Sequence, residues 1–463
     1  MSTHLAPAPT AAGPARGPST AALLAAYRDG SLTPTAHVRR VLDLVAEHGD
    51  DGTWISVDPE AALARAAELE ATRGAGELPL YGVPFAVKDS IDVLGWPTTL
   101  ACPSYAYTPR ETAPAVQRLL DAGAICLGKT NLDQFATGLN GTRTPYTVPR
   151  SVYGGDLISG GSSSGSARAV ALGEVPFAVA TDTAGSGRVP AALNGVLGYK
   201  PSRGLISTVG LVPACRSLDC LSLVVGDPAD LRPVLDLMVG VDERDPWSRP
   251  REHRPVDDGA LVVGLPDEDE LTFFGDAPMA AAHRAAREVL ARLFRTTPTP
   301  LAPFLAAGEL LYSGPWVAER LVEFGDFLAG DHDDVVPVVG HIIRGGARFD
   351  ATDVFRAQYR LAALKAEVDR LFGGVDVLVV PTVGTTFTVP EVLADPVGTN
   401  TVLGHYTHFG NLLDLCAAAV PAGLTADGRP ASLMVLGPAL ADDAVLAVAT
   451  RLGAVLPPSR RPA

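Results

Sequence analysis

Serine and glycine are concentrated in two short segments whose residue types suit nucleophilic catalysis. The first is Gly160-Gly-Ser-Ser-Ser-Gly-Ser-Ala167, and the second is Thr181-Asp-Thr-Ala-Gly-Ser-Gly-Arg188. In the second segment Ser186 stands between two glycines, so a substrate carbonyl could approach its hydroxyl. The consecutive backbone N–H groups of residues 183–186 could bind the oxyanion that forms when a serine attacks an amide. A Gly-Ser-Gly sequence is also a common turn, and these residues alone leave both interpretations open.

A serine nucleophile needs a base, and the composition favours lysine for this role. Histidine, the usual base, is absent between His48 and His253, although distant histidines could fold back onto the site. The 37 basic residues include only four lysines, namely Lys88, Lys129, Lys200 and Lys365. Arginine stays charged, whereas a buried lysine can lose its proton. Lys88 follows an apolar, strand-like run, and a serine of the run 162–164 could relay a proton between Lys88 and Ser186. For any one lysine, the alternative is a solvated charge.

Other interpretations of the polar clusters are less favoured. The run 158–166 could be a flexible linker, but helix-like and strand-like sequences follow it directly and leave no domain boundary to link. It does not match the pattern G-x-x-x-x-G-K-[ST], which excludes a phosphate loop of that type. Cys215 and Cys220 lack a second pair of ligands for zinc, and Asp331-His-Asp-Asp334 is more typical of an acidic loop than of a metal site. The sequence therefore predicts no metal and no cofactor.

The elements that would position these residues follow an alternating pattern. Short apolar runs alternate with helical patterns between residues 80 and 225, which predicts an α/β fold. Strands are predicted at 83–87, 124–128, 175–181 and 375–380, and helices at 61–71, 167–172, 279–294, 308–325 and 351–372. Lys88 would then follow the first strand, and Ser186 would lie at a turn from the third strand into a helix.

Composition limits the class of protein. The 463 residues include 37 Lys and Arg against 52 Asp and Glu, a formal net charge of −15, which argues against a nucleic-acid binder. No apolar stretch approaches about 18 residues, and a secretory signal is not recognised, so we predict a cytoplasmic protein that does not bind a membrane. Five cysteines are too few for a disulfide framework. One large domain is predicted at 20–456, between a flexible N-terminal tail (1–19) and a C-terminal tail (457–463).

Four blocks, in the same order along the chain, resemble the amidase signature family. They are Gly82-Val-Pro-Phe-Ala-Val-Lys-Asp89, Gly128-Lys-Thr-Asn-Leu-Asp-Gln-Phe135 and the two serine segments given above. The resemblance covers about residues 20–456 and implies a mixed β-sheet core covered by helices on both faces. Within the family, residues 133–138, 181–190 and 212–220 resemble the allophanate hydrolase branch. This implies hydrolysis of allophanate (urea-1-carboxylate) to ammonia and N-carboxycarbamate; the alternative is a general small-amide amidase of the same family.

The resemblance implies a Ser-cisSer-Lys triad. Ser186 would be the nucleophile, Ser162 the bridging serine in a cis peptide, and Lys88 the base, with Ser163 as the rival for the bridge. The oxyanion would be bound by the N–H groups of Thr183, Ala184, Gly185 and Ser186. A non-catalytic binding or scaffold protein would need this triad to be idle.

The substrate of that branch is a small anionic amide, so a cation is expected at its carboxylate. Tyr312 and Arg320, eight residues apart, match the family's substrate-binding pair, and Gly138 would line the site through its backbone. The alternative for Arg320 is an ordinary surface helix with solvated charges.

Two residues depart from the family pattern without touching the triad: Ser90 stands where Asn is common, and Arg168 where a small apolar residue is usual. Longer allophanate hydrolases carry a further C-terminal domain that decarboxylates the product. This sequence stops just past the amidase body, so we expect that domain to be absent and its reaction to be spontaneous or to need a separate decarboxylating protein. The family often forms dimers, and the sequence leaves a homodimer open.

Overall fold

The computed structural model describes residues 17–72, 74, 76–252, 256–257, 259–312 and 314–459. Residues 1–16 of the predicted N-terminal tail and 460–463 of the predicted C-terminal tail lie outside this description. Ser459 is buried, and its hydroxyl donates to the carbonyl of Gly423 at 2.9 Å. The chain up to Ser459 is therefore packed onto the domain and does not extend from it as a tail.

Eleven strands are described and form one sheet. They are β1 (Trp54–Val57), β2 (Pro84–Lys88), β3 (Ile125–Thr130), β4 (Phe177–Asp182), β5 (Leu197–Lys200), β6 (Cys220–Val225), β7 (Val262–Leu265), β8 (Arg295–Pro298), β9 (Val377–Pro381), β10 (Cys416–Leu424) and β11 (Pro430–Gly437). The strand order is β1-β3-β2-β4-β6-β5-β10-β11-β9-β7-β8. β2 is parallel to its neighbours β3 and β4, and β7 is parallel to its neighbours β8 and β9. Along the part of the strand order that runs from β4 to β9, each pair of neighbouring strands is antiparallel. The predicted mixed α/β sheet is confirmed.

Sixteen α-helices are described around this sheet. They are α1 (Thr20–Asp29), α2 (Pro34–His48), α3 (Pro59–Thr72), α4 (Pro114–Asp121), α5 (Ser164–Ala171), α6 (Arg188–Leu193), α7 (Pro228–Met238), α8 (Ala277–Leu293), α9 (Ala302–Tyr312), α10 (Val317–Leu328), α11 (Pro337–Arg344), α12 (Ala351–Leu371), α13 (Val389–Ala394), α14 (Gly398–Gly404), α15 (His408–Leu412) and α16 (Asp442–Val455). Within the described ranges, no helix is both long and apolar enough to cross a membrane.

Helices cover both faces of the sheet, as the alternation of side chains along a buried strand shows. Val379 of β9 belongs to the apolar cluster that contains Leu290 of α8. Its neighbour Val380 belongs to a different cluster, with Phe304 of α9 and Leu364 of α12. Successive residues of one strand thus pack against helices on opposite sides, and the strand has no solvated face.

The predicted strands agree with the observed ones to within two residues at each end, but the helix predicted at 308–325 is wrong. The structure has α9 ending at Tyr312 and α10 beginning at Val317. Pro315 lies between them, and proline has no N–H to donate in a helix interior and disfavours helical geometry at the residue before it. The break matters for the site because it separates two of its predicted residues onto different helices.

Candidate active site

Lys88 is the last residue of β2, and its side chain is completely buried. The ammonium nitrogen Nζ donates to three hydroxyl oxygens: Ser162 Oγ at 2.7 Å, Ser163 Oγ at 2.9 Å and Thr181 Oγ1 at 2.7 Å. Thr181 lies near the end of β4, the parallel neighbour of β2, so the sheet itself brings these two residues together. A lysine ammonium has three donors, and three hydroxyls accept them here.

Burial lowers the pKa of Lys88 to about 7. The buried carboxyl groups of Asp133, Asp182 and Asp219 oppose this effect, and Arg320 reinforces it. Removal from water disfavours the charged form of an amine, which explains the direction. Near neutral pH a large fraction of Lys88 is therefore an uncharged amine that can accept a proton.

The serine loop lies directly against this lysine. The peptide bond between Gly161 and Ser162 is cis. The carbonyl of Ser162 accepts the N–H of Asp133 at 3.0 Å, and the N–H of Ser163 donates to the carbonyl of Ser186 at 3.2 Å. The last bond ties the serine loop to the loop that carries the predicted nucleophile.

Ser162 and Ser163 differ in the hydrogen bonds that their hydroxyls make. Ser163 Oγ donates to the carbonyl of Thr181 at 3.1 Å, so its proton is already committed. Ser162 Oγ contacts Lys88 and makes no other hydrogen bond within the described residues. The hydroxyl of Ser162 therefore retains a proton that it can exchange.

The nucleophile loop is held by a buried ion pair. Asp182, the last residue of β4, accepts the N–H of Gly185 at 2.8 Å and the N–H of Gly187 at 3.1 Å. It also accepts two guanidinium bonds from Arg188, at 2.8 and 2.9 Å, and both side chains are completely buried. Burial by itself raises the pKa of Asp182, but Arg188 and the hydrogen bonds outweigh this and lower it to about 2. The carboxylate stays ionised and fixes the loop around Ser186, which is itself only 3% exposed.

The predicted oxyanion donors do not all point the same way. The N–H of Gly185 is directed at Asp182, so Gly185 is not an available donor in this conformation. The N–H groups of Thr183, Ala184 and Ser186 have no acceptor among the residues that the structure describes. Gly185 instead allows the loop backbone to pass close to Thr407. Its φ is +121°, and a Cβ there would lie 2.3 Å from the hydroxyl oxygen of Thr407. That hydroxyl donates to the carbonyl of Ala184 at 2.8 Å.

Asp219 also holds this loop, a role that sequence reasoning missed. The hydroxyl of Thr183 donates to its Oδ1 at 2.5 Å, and the N–H groups of Ala214 and Cys215 donate to its Oδ2 at 2.8 and 3.0 Å. Burial raises the pKa of Asp219 to about 6. The residue lies inside the segment 212–220 that carries part of the family resemblance, but its partner is far away in sequence.

Of the three residues predicted to bind substrate, the structure brings two close together and leaves the side chain of the third undescribed. Arg320 of α10 is 3% exposed, and its Nη1 donates to Thr137 Oγ1 at 2.9 Å, beside Gly138. Gly138 has φ +153°, and a Cβ there would lie 2.7 Å from Oδ2 of Asp133. Tyr312 ends α9, and its side chain lies outside the description. The structure thus places Arg320 against Thr137, the residue before Gly138. Buried Arg320 is not the solvated surface charge of the alternative interpretation.

Metal-ligating groups are not clustered in the described ranges: no set of three or more His, Cys, Asp or Glu side chains could hold an ion. In the acidic segment 331–334, Asp334 accepts the N–H of Ser104 at 2.7 Å and its hydroxyl at 2.6 Å. This carboxylate is therefore used to fix a neighbouring loop.

Comparison with known proteins identifies relatives over nearly the whole domain. The family model named Amidase matches residues 37–446. A urea amidolyase from Lachancea kluyveri is 42% identical over 430 residues, which are 91% of this chain but only 24% of that protein. The chain thus spans about a quarter of the length of this relative. One subunit of the glutamyl-tRNA(Gln) amidotransferase of Symbiobacterium thermophilum is 31% identical, with 86% of this chain and 88% of that subunit covered.

Among solved structures, the allophanate hydrolase of Kluyveromyces lactis superposes with a TM-score of 0.90 at 39% identity. The match covers 96% of this chain and 73% of that structure. The resemblance of the sequence blocks to the amidase signature family is confirmed. From both the shared sequence and the shared fold, the chain belongs to the amidase family.

Proposed function

We propose that this protein hydrolyses allophanate to ammonia and N-carboxycarbamate through an acyl-enzyme on Ser186. The observation that carries the proposal is the buried contact between Lys88 Nζ and Ser162 Oγ, in a loop bonded to the backbone of Ser186. The similarity to the Kluyveromyces lactis allophanate hydrolase supports the choice of substrate.

In the first half of the reaction, neutral Lys88 takes a proton from Ser162 while Ser162 takes the proton of Ser186. The oxygen of Ser186 forms a bond to the amide carbon of the substrate, and the carbonyl oxygen becomes an oxyanion. The N–H groups of Thr183, Ala184 and Ser186 are the donors available to bind it, because that of Gly185 is committed to Asp182.

Collapse of this intermediate breaks the C–N bond. The proton held on Lys88 passes back through Ser162 to the leaving nitrogen, and ammonia departs. Water then attacks the acyl-enzyme and gives its proton to the same relay. The second intermediate releases N-carboxycarbamate and restores the hydroxyl of Ser186.

Arg320 is the candidate partner for the substrate carboxylate. Its guanidinium is buried and is held by the hydroxyl of Thr137. A cation in a poorly solvated site attracts a carboxylate more strongly than one at the surface, and a guanidinium can bind it with two parallel hydrogen bonds. Gly138 lies next in the chain and would present its backbone to the same ligand.

The proposal is tested by ammonia release from allophanate, malonamide and acetamide. We expect the wild-type protein to prefer allophanate, Ser186→Ala to be inactive on all three substrates, and Arg320→Gln to lose allophanate activity selectively. Ser162→Ala should lose far more activity than Ser163→Ala, which is the matched control one residue away. Full activity of Arg320→Gln on allophanate would favour the alternative, a general small-amide amidase using the same serine and lysine.

A further inference from the structure

A cavity of about 200 Å³ lies between α10, α11 and α14. The ionisable side chains that line it are Arg143, His341 and Arg348, and the lining residues in the described chain include no Asp or Glu. This is unusual for a protein whose formal net charge is −15. We call this space the basic cavity.

The basic cavity is separated from the candidate carboxylate site by a single residue. Arg143, which is 2% exposed, donates from Nη1 to the carbonyl of Thr137 at 2.8 Å. Arg320 donates from Nη1 to the hydroxyl of the same threonine at 2.9 Å. A second connection runs along α10, because Val317 lines the cavity and lies one turn before Arg320.

The lining combines a buried cation with an exposed one. Nη2 of Arg143 donates to the carbonyl of Pro396 at 2.5 Å, and Asn400 accepts the N–H of Leu139 at 2.8 Å, so the inner wall is held by neutral backbone groups. Arg348 is exposed at the outer side, with its guanidinium 4.7 Å from the ring centre of Phe349. An anion would thus meet a solvated arginine first and a buried one further in.

We infer that the basic cavity is an anion-binding antechamber that collects small carboxylates for the active site. The inference rests on the proposed function, since it gives allophanate an encounter site next to Arg320. A concave region lined by charges of one sign raises the local concentration of an oppositely charged ligand, and salt weakens this effect. The antechamber should therefore raise kcat/KM for an anionic amide and leave a neutral amide unaffected.

The test compares Arg348→Gln with the wild-type enzyme on allophanate and on malonamide, across ionic strength. Arg39→Gln is the matched control, because Arg39 is another exposed arginine, on α2, that does not line the cavity. We expect Arg348→Gln to lower kcat/KM for allophanate about three- to tenfold at low salt, with kcat unchanged. The difference should shrink at high salt, and malonamide hydrolysis should be the same in all three proteins.

Two results would overturn the inference alone. One is an Arg348→Gln enzyme whose allophanate kinetics and salt dependence match those of the wild type. The other is an equal loss on allophanate and malonamide, which would indicate a structural effect of the substitution. A wild-type enzyme that does not prefer allophanate would instead overturn the proposed function. The inference about the basic cavity rests on that function and would then be overturned too. The wild-type measurement thus separates the two failures.

Discussion

Replacing Thr181 by Val should move the acid limb of the pH–rate profile and leave a working enzyme. Lys88 must be uncharged to accept a proton, and its pKa lies at about 7. We therefore expect kcat/KM of the wild type to rise tenfold per pH unit below pH 7 and to level off above it. The Thr181 hydroxyl accepts one of three hydrogen bonds from Nζ, at 2.7 Å, and stabilises the ammonium form.

The size of the expected change follows from the strength of that bond. A hydrogen bond to a charged group contributes about 1.5–3 kcal/mol, and part of this is also available to the neutral amine. A net loss of about 1.4 kcal/mol would lower the pKa of Lys88 by about one pH unit. At pH 6 about a tenth of the wild-type lysine is neutral, against about half in the variant. Relative to its own plateau, Thr181→Val should thus be about five times more active at pH 6.

The assay is kcat/KM for ammonia release between pH 5 and 9, with each profile normalised to its plateau. Thr181→Ser is the control, because it keeps the hydroxyl and removes only a methyl group. An acid limb at the same pH in Thr181→Val, Thr181→Ser and wild type would refute the reasoning. It would mean that the limb reports a group other than Lys88, or that the Thr181 contact has no energetic weight.

Three further outcomes test the loop that carries the nucleophile. Arg188→Met leaves the buried Asp182 carboxylate without the guanidinium that pairs with it. Urea denaturation should therefore show a loss of about 3–5 kcal/mol in the free energy of unfolding. A loss below about 1 kcal/mol would contradict the role of this ion pair in holding the loop. Gly185→Ala places a methyl group 2.3 Å from the Thr407 hydroxyl oxygen at a residue with φ +121°. The kcat should therefore fall at least about 100-fold. A variant that keeps the kcat of the wild type would show that the loop rearranges freely. Asp219→Asn either turns its amide group toward the backbone N–H groups or loses the bond to the loop threonine. The kcat should therefore fall about 10- to 100-fold with little change in KM. An effect on KM alone would contradict the role of Asp219 in holding the loop.

The motifs near the strand ends were readable from the sequence because they combine local signals. Lys88 follows an apolar run that forms β2, and Ser186 follows the run that forms β4. The rarity of lysine added a chemical reason to select Lys88, and the four blocks added the family. The neighbouring positions of the two strands in a parallel ladder then follow from the fold that the family implies.

The contacts that complete the site could not be read in the same way. Thr407 and Ala184 are 223 residues apart, and Asp219 meets Thr183 across a loop, so no periodic pattern connects the partners. The break between α9 and α10 is a different case, because Pro315 is a local signal that the apolar pattern on both sides obscured. The Gly185 N–H points at Asp182 because of the local backbone conformation, which residue types do not specify.

The burial of the lysines has a practical consequence for chemical modification. Lys88, Lys129 and Lys200 are completely buried, whereas the Lys365 side chain on α12 is 36% exposed. The chain has only these four lysines, so among its lysine side chains amine-reactive dyes, biotin esters or activated resins should attach to the folded protein almost entirely at Lys365. Labelling could therefore follow the protein, or tether it in a defined orientation, while the amine of Lys88 stays out of reach of the reagent until the fold opens.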